Sequence, residues 1–148
     1  MDAAQQLLEI EAIKQLKARY FRLLDTKDFA GWTEVFAPHF DHFMEMEQQE
    51  INGPREEFVA FVAERLAGMT TVHHGTMPEI ELLSDTKAKG IWAFVDHITP
   101  ANGPKEDGMV LQGFGHYHET YEKIDGVWRI ATQRVTRLRL DITMPEPQ

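Results

Sequence analysis

Two histidines stand side by side in TTVHHGTMPEIELLSD, residues 70–85. On a strand His73 and His74 would address opposite faces, so at most one could turn inward. Imidazole is the side chain best suited to moving a proton near neutral pH, above all when a carboxylate fixes its tautomer and stabilises the imidazolium. Parity leaves the choice open, since His73 runs with Thr71 and Gly75, and His74 with Val72 and Thr76. Candidate carboxylates lie elsewhere in the chain. In KAKGIWAFVDHITP, Asp96 shares a strand face with Trp92, Phe94 and Ile98. An ionised carboxylate there must be paired, protonated or beside a polar cavity, unless it already lies in solvent or caps the following loop. Asp25 stands where a helical pattern stops, a place that also suits a turn or cap. Tyr20 sits in the middle of that helix's apolar stripe, where its ring would be core and its hydroxyl would need a partner.

Two further stretches carry charge. In GFGHYHETYE, His116 and His118 share a face with Glu122 nearby, an HxHxxxE spacing that resembles half of a cupin metal motif. The second half of that motif is missing. The opposite face, Tyr117, Glu119 and Tyr121, could equally turn inward. In GVWRIATQRVTRLRLD, Arg129, Arg137 and Arg139 share one parity, while Arg134 has that of Trp128 and Ile130. If Trp128 faces the core of a regular strand, Arg137 faces outward; a β-bulge between them would reverse this.

Composition narrows the partners. The 148 residues are 43% hydrophobic, which suits one domain with one sizeable core. The formal charge of −9 disfavours nucleic acid and anionic membrane surfaces. Without cysteine there is no disulfide, thiolate catalysis or zinc-thiolate site. No targeting leader or spanning segment is visible, so a soluble cytoplasmic protein is expected.

The elements that must position these groups follow from periodicity. Apolar residues from Ala4 to Leu24 recur at spacings of three and four, predicting an amphipathic helix on which Lys17 is a blemish. A second helix is predicted over 28–36, stopped at Pro38, then a strand over Phe40–Glu47. A third helix is predicted from Pro54, at its first position, to Gly68. After Gly68 the period becomes two, over segments 70–83, 86–99, 109–124 and 127–142, with turns at SDT, TPANGPKED and DG. Helices first and an antiparallel meander after predict an α+β domain whose sheet is covered by the helices on one face. The tail from Pro145 is expected to fray.

The order IKQLKARYFRLLDTKD, HHGTMPEIEL, GIWAFVDHI and GFGHYHETYEKIDGVWRIATQRVTRLR resembles SnoaL-like proteins of the nuclear transport factor 2-like superfamily, over nearly the whole chain. The likeness runs to bile-acid 7-alpha-dehydratase, scytalone dehydratase and hexachlorocyclohexane dehydrochlorinase. It implies a cone-shaped, cystatin-like α+β fold, a curved antiparallel sheet around N-terminal helices with an apolar pocket at its open end. It also implies cofactor-free elimination, with catalytic positions at Tyr20, Asp25, His73, Asp96 and Arg137. His73 would then be the inward histidine, and a bulge near the end of the last strand would turn Arg137 inward. Trp32, Phe43, Trp92, Phe94 and Tyr117 are expected to hold a small hydrophobic substrate. No cofactor and no metal is expected. Isomerisation, polyketide-type cyclisation and non-catalytic ligand binding remain alternatives. A homo-oligomer, trimer before dimer, is the implied assembly.

Overall fold

The computed structural model describes residues 1–101 and 108–144. Most of the predicted TPANGPKED turn and the tail from Pro145 lie outside them.

Helix α1 (Ala3–Asp25) starts at a reciprocal cap, the Asp2 carboxylate accepting from the Gln5 N–H and the Gln5 side chain from the Asp2 N–H. Its buried stripe is Ile13, Leu16, Lys17, Tyr20, Leu23 and Leu24, the predicted spacing with lysine included rather than excluded. The helix stops where Lys27 enters the left-handed region at φ 62°.

Helix α2 (Phe29–Thr33) is shorter than expected, and β1 (Phe36–Met44) begins before the predicted strand. Pro38 therefore lies within a strand instead of ending a helix. It falls where the β1 register is irregular, between Phe36 and Asp41, a position at which proline's missing N–H is tolerated. Strand β2 (Gln49–Pro54) lies where no strand was predicted; it is a half-exposed edge strand on β1. Pro54 ends that strand and caps α3 (Arg55–Arg65) instead of occupying its first turn.

The four period-two segments become β3 (Met69–Leu82), β4 (Lys87–Pro100), β5 (Val110–Ile124) and β6 (Val127–Thr143), an antiparallel meander. The full order is β2-β1-β6-β5-β4-β3, with β1 parallel to β6. The sheet is curved and does not close. Bulges supply the bend. On β6 the partner of Thr120 is Thr132 but that of Tyr121 is Ile130, so Ala131 is extra; Leu138 is extra in the same way between Arg137 and Arg139. Inward parity thus changes from Trp128 and Ile130 to Gln133, Val135 and Arg137, all buried or nearly so. The bulge that turns Arg137 inward lies early in the strand, not near its end as expected.

Two apolar clusters fill the space between helices and sheet. The larger joins α1, α2 and α3 to Phe36, Phe40 and Ile130; the smaller is Trp92, Phe94, Tyr117 and Val135. No helix among the described residues is long and apolar enough to cross a membrane.

Candidate active site

A cavity of about 420 Å³ remains between the helices and the concave face of the sheet. Its apolar wall comes from Trp32, Phe58, Phe61, Val62 and Leu66 on the helical side and from Phe94, Tyr117 and Val135 on the sheet. Tyr20, His73, Asp96 and Arg137 line the same space. Four of the five predicted catalytic positions therefore share one cavity, and Asp25 stands outside its lining, bonded to His73.

His73 is the inward histidine, 8% exposed, whereas His74 faces solvent. Asp25, the last residue of α1, lies some 140° around the helix from Tyr20, as 3.6 residues per turn requires. That direction sends it to β3. Its Oδ1 accepts from His73 Nδ1 at 2.7 Å, and its Oδ2 from the His73 backbone N–H at 2.9 Å. Thr71 Oγ1 donates to Oδ1 as well, at 3.0 Å. Burial alone would raise the Asp25 pKa, but the two bonds from His73 outweigh it and the net shift is downward. An ionised carboxylate can only accept, so Nδ1 carries the proton and the free lone pair of the neutral ring is on Nε2.

Asp96 pairs in register with His73 across β3 and β4, and Gly113 follows on β5. A Cβ at Gly113 would lie 1.9 Å from Arg137 Nη1 and 2.1 Å from Asp96 Oδ1. The missing side chain is the room in which the guanidinium from β6 meets the carboxylate from β4. The pair is bidentate, at 2.9 and 3.0 Å, and Arg137 Nε also donates to Glu47 in the β1–β2 turn at 2.8 Å. Burial opposes the Arg137 charge, yet Asp96 and Glu47 outweigh it and raise its pKa. Asp96 is thus buried and paired with Arg137, not in solvent.

A second polar row crosses the sheet at His42, Gln133 and Glu119, which are register partners on β1, β6 and β5. Above it lies Lys17, wholly buried, donating to Glu119 Oε2 at 2.7 Å with its ammonium 3.8 Å from the Tyr20 ring centre and 3.9 Å from that of Tyr117. Burial lowers the Lys17 pKa to about 8 in spite of Glu119. Gln133 Nε2 donates to Glu119 at 2.6 Å, which turns its Oε1 toward the Tyr20 hydroxyl, 3.4 Å away. Burial, then the charge of Glu119, raises the Tyr20 pKa, so the phenol stays a proton-bearing donor. His42 packs on Phe58 with ring centres 4.4 Å apart, and burial together with the Lys17 charge lowers its pKa to about 3. Among the described residues, His42 Nδ1 and Trp32 Nε1 are the buried side-chain atoms without a hydrogen-bond partner.

Lys17, Glu119, Gln133 and His42 were missed as site residues. The available signals were a lysine on an apolar stripe and, for His42 and Glu119, the strand parity that carries Phe40 or Tyr117 and Tyr121; Gln133 had none, because the extra residue Ala131 reverses its parity relative to Trp128 and Ile130. Of the expected substrate contacts, Trp32, Phe94 and Tyr117 line the cavity. Phe43 does not, because β1 presents Phe40, His42 and Met44 inward and Phe43 has the other parity. Trp92 does not either; its indole N–H donates to the Tyr121 hydroxyl at 2.9 Å within the wall. His116 and His118 lie on the outer parity of β5, and Glu122 is engaged by Lys87. Among the described residues no three His, Cys, Asp or Glu side chains gather as a metal site would require.

Residues 5–134 match the family described as the SnoaL-like domain. A protein of Gibberella zeae named probable cyclase FGR4 is 27% identical over 137 residues, covering 85% of this chain and 89% of its own length. A variant of Rv3472 from Mycobacterium tuberculosis, of unknown function, superposes with a TM-score of 0.79 at 27% identity, over 94% of this chain and 77% of that one. A candidate scytalone dehydratase of Novosphingobium aromaticivorans gives 0.82 at 18% identity, over 99% and 94%. A type 2 hexachlorocyclohexane dehydrochlorinase gives 0.78 at 20% identity, over 96% and 93%. The last two likenesses are ones of fold.

Proposed function

The chain belongs to the SnoaL-like domain family, and from this premise we propose that it is a cofactor-independent lyase, dehydratase-like, acting on a small hydrophobic cyclic molecule. The observation that carries the reading is the Asp25–His73 pair at 2.7 Å, whose imidazole lines the same apolar cavity as Tyr20, Asp96 and Arg137. A cavity made only to hold an apolar ligand has no use for a base with its tautomer set.

In the reaction His73 Nε2 takes the proton from a carbon beside a carbonyl or similar activating group. The C–H electron pair becomes the new π bond while the bond to the leaving group breaks. A departing hydroxide takes its proton from the Tyr20 hydroxyl and leaves as water; a halide leaves as the anion. Proton return from the imidazolium through solvent restores the phenol. Arg137 has N–H groups beyond those given to Asp96 and Glu47, and these orient the substrate's polar end. General acid–base assistance of this kind contributes about 10²–10⁴-fold, and the apolar walls strengthen each polar contact.

The test is a panel of cyclic β-hydroxy ketones and halogenated rings followed by product mass. Loss of water or hydrogen halide is expected with the wild type, and His73→Ala should abolish turnover while keeping the fold. A true substrate processed by His73→Ala at the wild-type rate would overturn the assignment. The named cyclase relative favours a second reading, isomerisation or ring closure, which begins with the same proton abstraction and leaves product mass unchanged when no water is lost. Assembly as a homo-oligomer, trimer before dimer, is part of the proposal; exposed Val72 and Val95 on the outer sheet face support it, and sedimentation tests it.

A further inference from the structure

Asp25 is itself held from behind. Lys27 Nζ donates to Thr71 Oγ1 at 2.7 Å, and Thr71 Oγ1 stands 3.0 Å from Asp25 Oδ1. An ammonium has no lone pair to offer, so the Thr71 oxygen must accept from it, and the hydroxyl hydrogen is left to point at Asp25. The chain of donors runs one way, from Lys27 through Thr71 to Asp25, where it meets the proton on His73 Nδ1. Thr71 is 3% exposed, on the same inward parity of β3 as His73.

The backbone adds an independent observation. Lys27 occupies the turn after α1 at φ 62°, a left-handed conformation that glycine or asparagine adopts more readily at a helix end. A lysine there strains the main chain, and its side chain reaches back across the turn to β3. Its ammonium is half-buried, burial lowering its pKa and Asp25 opposing that shift.

We propose that Lys27 and Thr71 are positioning residues, a two-step hydrogen-bond relay that holds Asp25 in the orientation that keeps the His73 proton on Nδ1 and a bare Nε2 toward the cavity. The proposal rests on the reading of His73 as the base, but its geometry can be tested without a substrate. The other charged groups around His73 are Asp96 opposite it on β4, Arg137 on β6 and Glu47 in the β1–β2 turn, and the variants below leave all three in place.

The experiment is side-chain NMR of protein with isotope-labelled histidine, following the His73 Nδ1 proton and the nitrogen shifts that report the tautomer. Wild type, Lys27→Arg and Thr71→Ser should show a protected Nδ1 proton and an unprotonated Nε2. Thr71→Val, Lys27→Met and Lys27→Gly should exchange that proton about tenfold faster, the scale of losing one charge-assisted hydrogen bond, with a mixture of tautomers. Lys27→Gly is the informative variant, because glycine relieves the backbone strain: melting temperature should hold or rise while the His73 signal is lost. A residue of purely structural value would give the reverse. Unchanged Nδ1 protection in both Lys27→Met and Thr71→Val would overturn the relay. That result, with His73→Ala still inactive, would leave the proposed function standing; intact relay signals with full activity in His73→Ala would sink the function alone.

Discussion

His42 should make the protein acid-sensitive by a calculable amount. Its ring is 6% exposed and packed on Phe58, and burial lowers its pKa from 6.5 to about 3. Above pH 6.5 the imidazole is neutral in both folded and unfolded chains, so it has no effect on the balance. Below 6.5 the unfolded chain binds a proton that the folded chain refuses, and the unfolded state gains about 1.4 kcal/mol per pH unit until the folded pKa is reached. The interval from 6.5 to about 3 corresponds to a total loss of roughly 5 kcal/mol. Between about pH 7 and about pH 5 the expected part of it is about 2 kcal/mol, a large share of a typical domain's stability. His42→Phe keeps an aromatic ring against Phe58 and has no proton to bind, so the loss should vanish. The assay is urea unfolding of wild type and His42→Phe at both pH values, taking the difference between proteins at each. Carboxylates common to both cancel in that comparison. Two proteins that lose stability in parallel would refute the assignment of a buried, neutral His42.

Other outcomes follow from the same contacts. Gly113→Ala places a Cβ inside the Asp96–Arg137 contact, and breaking that pair should lower stability by about 3–5 kcal/mol and reduce turnover; an unchanged melting temperature would show that the strand yields instead. Tyr20→Phe should cut kcat by about 10²–10⁴-fold with a much smaller change in KM if the phenol is the acid, whereas a change confined to KM would make it a binding group. Asp25 has a lowered folded pKa, so its contribution is present above the unfolded carboxylate pKa and fades as pH falls through the folded one. The stability gap between wild type and Asp25→Asn should accordingly narrow on acidification, measured by thermal melts. Lys17 is lowered to about 8, so the unfolded chain binds more protons from there up to 10.5 and wild-type stability should rise with pH across that window. Lys17→Met should flatten that rise.

Much of the fold could be read from period alone. The four long strands fall within a few residues of their predicted ends because each alternates inward and outward side chains over a dozen positions or more. Strand β2 escaped because six half-exposed residues ending in Gly and Pro show no apolar alternation, and only pairing with β1 makes them a strand. Within the site, Asp96 was legible from its face, shared with Trp92 and Phe94. The pairing of Asp25 with His73 came from family likeness, since the two are 48 residues apart and no local pattern joins them. Lys17 was set aside for its charge; its partner Glu119 is 102 residues away, and a buried charge makes sense only once that partner is known.

The two extra residues of β6 give the site an unusual kind of adjustability. Between Ala131 and Leu138 the strand runs out of phase with its flanks, so this short window works as a cassette set into an otherwise regular ribbon. A strand that took both extra residues into its regular pleat would carry the window in the phase of its ends. Thr132, Arg134 and Thr136 would then face the hollow while Gln133, Val135 and Arg137 went to solvent. Which side chains β6 offers to the cavity is thus set by two single-residue bulges as much as by the side chains themselves.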